Sequence, residues 1–432
     1  MSEGHQDPEL IITPCPPTEG GLLTVLNLSL VTFLVLLGLS MVSPILPTYA
    51  ESFQINYTLV GLVVSSFAIT RMVLDMPAGL LSRRYDKKRI MISGLLLISV
   101  SSVLAGFAPN YIILVVARMI EGAGSAFYVT TATVFLAQIS GEEKRGQWMS
   151  LYMGLLLLGA IFGPTFGGVI AAIYDIRAPF FAYAIVTGLA VVPTLVLPKL
   201  ANSGNQVVSL NLREIGRDMR QVLSNPSFLL VTFAVFTMFF LRTGVRTTLV
   251  PLFAANNLGL DEFSIGLILT VGAITTAITI VPMGKISDRV GRKLPMALCL
   301  ILTAGVTLMI PFSTDLLTMM IALAVYGAVI GLSGPGAAYV TDVSPKDKLE
   351  ISMGLYRMIS DFGFVVGPLL LGFIADVTAT PVEGATHSGL IGVIPFVVAS
   401  IILIIAFFVL LKADDPAREK NSNNNVHQDP TW

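Results

Sequence analysis

Charge is scarce in this chain of 432 residues. Asp, Glu, Lys and Arg make up 12% of it, against roughly 25% in a soluble domain. That scarcity excludes an ordinary water-soluble globule. Cysteine is nearly absent: Cys15 lies near the N-terminus and Cys299 in a distant apolar run, so neither a disulfide nor a metal site is expected. The three histidines, His5, His387 and His427, all fall outside the apolar runs, which leaves no imidazole for work inside them. The apolar runs hold no paired acidic motif for a metal diphosphate either, so an enzyme is not expected, nor a cofactor. The formal net charge of −1 says nothing about partners, but there is no basic tail, so no nucleic-acid partner is expected. A cleavable leader, with its basic flank and small-residue cleavage site, does not precede the first apolar run, so that run is expected to stay as a helix.

What the chain has in abundance is apolar sequence. Hydrophobic residues make up 54%, in runs longer than the roughly 20 residues that cross a bilayer as helix. Twelve spans are predicted: 22–48, 57–81, 90–108, 110–138, 147–173, 179–198, 227–254, 262–286, 294–312, 316–340, 350–375 and 389–411. If these alternate across the membrane, 20 of the 26 Lys and Arg residues fall on one side, and Arg177 alone on the other. The side rich in basic residues faces the cytoplasm, which predicts cytoplasmic termini, with the plasma membrane as the expected location. The tails, Pro-rich at 8–17 and Asn-rich at 421–425, read as disordered.

The chain also repeats itself at a lag of 204 or 205 residues. Pro77-Ala78-Gly79-Leu80-Leu81-Ser82-Arg83-Arg84-Tyr85-Asp86-Lys87-Lys88 returns as Pro282-Met283-Gly284-Lys285-Ile286-Ser287-Asp288-Arg289-Val290-Gly291-Arg292-Lys293. Pro47 returns as Pro251, Gly61 as Gly266, Gly122 as Gly327 and Gly163-Pro164 as Gly367-Pro368. A constant lag predicts two halves of one fold facing the same way, a plan used by transporters with the substrate between the halves. The fold class is therefore an all-α membrane protein: twelve transmembrane helices in two six-helix bundles related by a parallel pseudo-twofold repeat. The expected parts are a tail at 1–21, a bundle at 22–199, a linker at 200–226, a bundle at 227–411 and a tail at 412–432. In the linker, Leu210, Leu212, Ile215, Met219 and Val222 alternate with Arg213, Arg217 and Arg220, the spacing of an amphipathic helix on the cytoplasmic surface.

Ionisable groups inside a bilayer are costly unless paired, so each is a functional candidate. Three sets sit at helical spacing: Arg71 with Asp75, Arg118 with Glu121, and Arg357 with Asp361. At these separations the two side chains share a face. Each set is open to two readings, a self-satisfied structural bridge or a functional site. Arg242 and Arg246 have no acidic residue within four positions. The repeat supplies a control. Arg118 and Glu121 correspond to Leu323 and Tyr326, Arg71 and Asp75 to Thr276 and Ile280, Arg357 and Asp361 to Met153 and Leu157, and Arg242 and Arg246 to Gly38 and Val42. The fold does not require these charges, because the matching helices lack them. Glu121 falls roughly 16 Å along its helix at about 1.5 Å per residue, near the midplane where transporter sites lie. With no histidine in any span, proton coupling falls to a carboxylate: Glu121 beside Arg118, then Asp361, then Asp75. Substrate-binding candidates are Arg242, Arg246, Arg357, Phe127, Tyr128, Phe239 and Tyr326, although packing or lipid contact is the commoner use of any one aromatic.

The charged loop, with Gly79, Arg83, Arg84 and Asp86 in one copy and Gly284, Asp288, Arg289, Gly291 and Arg292 in the other, resembles the loop motif of the major facilitator superfamily, over essentially residues 22–411. The first copy departs from it: Arg83 stands for the usual Asp and Asp86 for the usual Gly. The resemblance implies that these loops act in gating. Gly159-x-x-x-Gly163-Pro164-x-x-Gly167-Gly168 in the fifth span, Arg118-x-x-Glu121-Gly122 in the fourth and Ser43-Pro44-Ile45-Leu46-Pro47 at the end of the first are similar to motifs of the twelve-helix drug–proton antiporters. That implies a proton-coupled exporter of small lipophilic compounds working as a monomer, with protons, a small-molecule substrate and membrane lipid as partners. The second reading is a transporter of organic anions or metabolites that uses the intramembrane arginines, since five of them stand against three clear carboxylates. Bare Arg242 and Arg246 in the cavity favour the anion; at the headgroups they favour the exporter.

Overall fold

A computed structural model describes residues 21–140, 145–199, 212–381 and 389–416. Cys15, the three histidines, Lys144, Leu210, Arg418, Lys420 and the two tails lie outside the described residues, as do the side chains of Arg83, Leu212, Arg213 and Ile215. Among the described residues the chain is helical apart from one isolated bridge between Thr380 and Leu390.

The first helix runs Leu22–Val42 and resumes as Leu46–Glu51 after a turn at Ser43-Pro44-Ile45. The second to sixth are Tyr57–Arg84, Lys87–Gly106, Tyr111–Ile139, Arg145–Ile173 and Ala178–Leu189, the last continued by Val191–Val196. After the linker helix, Leu212–Leu223, the seventh spans Pro226–Asn256 and the eighth Glu262–Val290. The ninth is Lys293–Met309, the tenth spans Leu316–Val343, the eleventh is Leu349–Thr378 and the twelfth Ile394–Leu410. Eleven of these spans are long and apolar enough to cross a membrane, and the twelfth helix is an apolar segment of 17 residues. Large apolar side chains such as Val73, Met76, Ile278, Phe312 and Phe408 lie exposed on the outside, as a lipid-facing surface requires.

The two copies of the charged loop turn by different chemistry. The eighth helix ends at Gly291, whose φ is +96°, a conformation that costs glycine nothing. In the first copy the same position is Asp86, with φ −59°, and its side chain accepts a bond from Lys88 N at 3.0 Å, capping the third helix. The departure thus replaces a glycine turn with an N-cap. The loop glycines do not serve close helix approach. Gly284 has nothing within 4 Å of a Cβ built on it, and Gly79 meets only Thr130 Cγ2 at 3.7 Å.

The repeat shows in matched contacts. A Cβ on Gly122 would lie 2.3 Å from Phe67 O, and one on Gly327 would lie 2.1 Å from Gly272 O. The halves meet where the second helix packs on the eleventh and the fifth on the eighth. There the symmetry is reciprocal: Gly61 sits against Pro368 O, and Gly266 against Pro164 O, with room for a hydrogen only (2.3 and 2.4 Å to a built Cβ). Gly168 and Gly372 make equally close approaches to Glu262 O and Tyr57 O. All four contacts lie at the ends remote from the basic loops. Polar bonds reinforce that end: Asp376 accepts from Tyr57 N at 2.6 Å and Thr58 N at 2.8 Å, and Asn256 Nδ2 donates to both Glu51 oxygens and to Tyr57 Oη. Toward the basic loops Gly154, Gly284 and Gly354 meet nothing within 4 Å. The bundles touch at one end and part at the other.

The linker helix belongs with the second half. Val222 is fully buried, Asp218 bonds Lys348 Nζ at 2.7 Å, and Arg217 and Arg220 stay exposed.

Gly266→Val should wedge the closed end open, since backbone of the opposite half cannot retreat like a side-chain tip. We expect a loss of about 1–3 kcal/mol in stability. A cysteine at Ser65, which now bonds Val365 O across the interface at 2.7 Å, should become reactive toward a water-soluble thiol reagent. No change in labelling would show that this contact does not hold the halves.

Candidate functional site

The seventh helix is distorted where it enters the interior. Pro251 has no N–H to continue the ladder, and the turn before it, Arg242–Leu249, is π-helical. Thr247 and Thr248 use their hydroxyls to bond Arg242 O and Thr243 O, at 3.0 and 2.8 Å. Wide turns of this kind are uncommon and gather at functional sites. This one presents Arg242 and Arg246 to the space between the halves.

That space has two lobes of about 290 and 310 Å³, which share Ala160, Phe239, Arg242 and Arg246. The first lobe is otherwise largely apolar, with Tyr326 and Tyr356 as polar handles. Tyr326 is 2% exposed and its hydroxyl has no partner among the described residues. The second lobe adds Arg71 and Arg118. On its wall cations and rings alternate: Arg118 lies 4.9 Å from the Phe67 centroid, Arg71 lies 5.9 Å from Phe67 and 5.8 Å from Phe364, and Arg242 lies 5.9 Å from Phe364. Guanidinium groups over rings gain from the ring quadrupole in a desolvated site. No carboxylate stands among the described residues that line either lobe.

The carboxylates sit behind this wall, and their pairing differs from the helix-by-helix expectation. Arg71 has its short bond to Asp361 of the opposite half, at 2.6 Å, and reaches Asp75 only at 4.0 Å. Asp75 instead accepts from Thr130 Oγ1 at 3.0 Å. Arg357, expected to pair with Asp361, is exposed and has no carboxylate within 4.0 Å among the described residues. The i, i+4 spacing put each pair on one face, but the bundle interface offered Asp361 a nearer cation. Arg118 and Glu121 are bonded to each other and buried. Glu121, placed in the cavity by its depth along the helix, is 2% exposed and lies off the cavity wall behind Arg118. Its Oε1 and the Arg118 Nε have no partner among the described residues, and Tyr183 lies beside the pair.

The other candidates divide. Phe239 lines both lobes and Tyr326 the first. Tyr128 is core: fully buried, its hydroxyl shares a bond of 2.7 Å with Thr32. Phe127 is half-buried and lines neither lobe. Gly159, Gly163 and Gly167 receive the first helix, Gly168 receives the eighth, and Pro164 lines the second lobe. At the basic loops, Arg292 bonds Asp288, Asp342 and Ser287 within its own half, and Arg84 lies 5.8 Å from the Tyr85 ring. Arg289 ends the eighth helix. Phe67 and Phe364 were not singled out from sequence, nor was the π turn. Pro251 preceded by Thr247-Thr248 is the signal that marks the turn; nothing in the linear pattern marks the rings.

The chain matches the Major Facilitator Superfamily over residues 28–249 and again over 231–430. It is 26% identical to an uncharacterized MFS-type transporter of Methanocaldococcus jannaschii, covering 80% of this chain and 89% of the relative. It is 25% identical to Multidrug resistance protein 2 of Bacillus subtilis (80% and 86% covered) and 25% identical to the quinolone resistance protein NorA of Staphylococcus aureus (84% and 92%). In fold it is similar to a bacterial homolog of the human lysosomal transporter Spinster, solved inward-facing and unoccupied, with TM-score 0.72, 15% identity and 93% and 97% of the two chains covered. The nucleoside transporter NupG matches with TM-score 0.68, 14% identity and 90% and 100% covered. With two family matches, one on each half, this multi-pass membrane transporter belongs to the major facilitator superfamily.

Proposed function

We propose that this chain is a secondary active transporter of small lipophilic organic anions, moving them by alternating access between its two halves. The observation that carries the reading is the pair Arg242 and Arg246, shared by both lobes of a cavity that has no carboxylate among its described lining residues. Arg71 and Arg118 each have a buried counter-ion, while these two have none within 4.0 Å among the described residues. Among the described residues Arg246 donates only to Leu269 O, at 3.1 Å. Two guanidinium groups one widened turn apart suit a carboxylate or phosphate held by charge-assisted bonds, with rings and aliphatic side chains for the apolar body. If the basic loops are cytoplasmic, the parted end of the bundles admits substrate from the cytoplasm, and both termini lie there. A monomer suffices, because one chain encloses the site.

The second reading is proton-coupled export of lipophilic compounds, as the multidrug and quinolone resistance relatives suggest. It is favoured by those relatives and by the helix motifs, and disfavoured by a cavity wall without a carboxylate for a cation.

In membrane vesicles a lipophilic carboxylate such as pyrenebutyrate should be transported, and its methyl ester should not. Arg242→Gln together with Arg246→Gln should lower carboxylate transport about 10- to 100-fold, the scale of losing one or two bonds of about 1.5–3 kcal/mol to a charged group. Transport of lipophilic cations with no response to carboxylates would favour the second reading.

The buried Arg118–Glu121 pair generates a separate expectation. Glu121→Gln leaves Arg118 buried without a counter-ion, which costs about 3–5 kcal/mol. Adding Arg118→Met should restore most of that stability in thermal unfolding. A double variant less stable than the single one would mean that each residue has a partner of its own. If the pair is the coupling site, Glu121→Gln loses transport driven by an imposed pH gradient and keeps passive exchange.

A further inference from the structure

We propose that Arg71 and Asp361 form a switch at which a substrate anion and a proton bind together, so that the two move through this chain in the same direction. This rests on the anion-site reading above and adds the sign of the coupling.

The two members of the bridge are unequally reachable. Arg71 lines the second lobe with 29% of its side chain exposed, while Asp361 has 7% exposed and lines neither lobe. An anion entering the cavity meets the cation of the pair, not the carboxylate. Arg71 is also continuous with the unpaired arginines, because Phe364 carries Arg71 at 5.8 Å and Arg242 at 5.9 Å. An anion held at Arg242 is thus one ring away from Arg71 and competes with Asp361 for it.

The surroundings of Asp361 decide its fate once that cation is taken. From the second helix it faces Arg71 and Asp75, and from its own helix Arg357 and Tyr356. The seventh helix brings Phe236, Phe239 and Phe240 against Gly363, which carry no charge. Among the described residues Arg71 alone forms an ion pair with Asp361. When the anion takes that guanidinium, Asp361 is left buried with Asp75 and the exposed Arg357 as its charged neighbours and no ion-pair partner among the described residues. A buried charge without its partner is costly, and protonation removes the charge. The charges balance. The guanidinium exchanges one anionic acceptor for another, the freed carboxylate gains one proton from the bulk solution, and the site as a whole takes up the elements of a neutral acid. By linkage, anion and proton then strengthen each other's binding by one common factor. Ligands that bind cooperatively to one site are carried together. A cationic substrate would do the reverse: it would compete with the proton for Asp361, and the two would exchange.

The test measures binding of pyrenebutyrate to the purified full chain from about pH 6 to 8, where the probe stays ionised. Affinity should rise as pH falls, by up to about tenfold per pH unit. In weak buffer, binding should take up as much as one proton per anion. Asp361→Asn, which copies the protonated state, should bind at the acid-side affinity at every pH and take up no proton. Asp361→Glu should restore the pH dependence, which a merely structural role would not. Where Asp361→Asn is poorly folded, Arg71→Gln serves instead: affinity should fall and the pH dependence should vanish. Binding that needs Arg242 and Arg246 yet ignores pH would overturn the switch and leave the anion site standing. Affinity that falls on acidification would overturn it in favour of exchange. Binding indifferent to Arg242→Gln with Arg246→Gln would overturn the anion site, and the switch with it.

Discussion

A hydrocarbon layer solvates neither backbone polar groups nor charges, and the architecture answers that one constraint. Every span is a helix because only a helix satisfies its own backbone within one segment. Apolar side chains face outward as readily as inward, so water expulsion does not drive helix against helix. Close packing does that work instead, through small residues. The reciprocal contacts of Gly61 with Pro368 and Gly266 with Pro164 are the clearest case, since each brings helix backbone onto helix backbone between the halves. Where such glycines meet nothing, as at Gly154, Gly284 and Gly354, the halves part. Packing at one end and separation at the other give a cavity with access from one side.

The same constraint governs the charges. Arg118 is answered by Glu121 and Arg71 by Asp361, each carboxylate held off the cavity wall. Arg242 and Arg246 are left to rings, to a backbone carbonyl and to whatever enters. A local defect makes this possible. Pro251 breaks the backbone ladder, the preceding turn widens, and threonine hydroxyls take up the bonds that the turn loosens. The widened turn thus sets two cations side by side on the cavity wall.

Much of this was legible in the sequence, for identifiable reasons. Apolar runs and a repeat at constant lag are properties of the linear chain, so the twelve spans and the two bundles follow from them directly. The glycine-rich run of the fifth span is also local, although which helix it meets, the first at Gly163, is not written in it. Pairing across the bundles is not local. Arg71 was matched with Asp75 and Arg357 with Asp361 because spacing along one helix is all a sequence shows, whereas the actual bridge joins residues 290 positions apart. Depth along a helix placed Glu121 near the midplane, but rotation about the axis decides whether a side chain meets cavity or core, and Arg118 took the cavity side. Phe67 and Phe364 looked like any aromatics in a membrane helix until the fold set guanidinium groups beside them.

The repeat finally separates what the fold needs from what the site needs. Contacts that obey the symmetry, such as Gly122 on Phe67 and Gly327 on Gly272, are the scaffold. Features that break it have no packing duty in the matching half. Arg118 and Glu121 have Leu323 and Tyr326 at the equivalent places, and Arg242 and Arg246 have Gly38 and Val42. Tyr326 shows how a single equivalent position can serve two ends: Glu121 holds a buried counter-ion in one half, while in the other a tyrosine hydroxyl without a partner among the described residues lines the cavity. Duplication therefore supplies two matching halves that meet at one interface. In the proposed switch, charge added to one half and answered by the other would make that interface sensitive to what the cavity contains. The bridge between Arg71 and Asp361 is the place where these two properties meet, because it crosses the interface and borders the cavity at once.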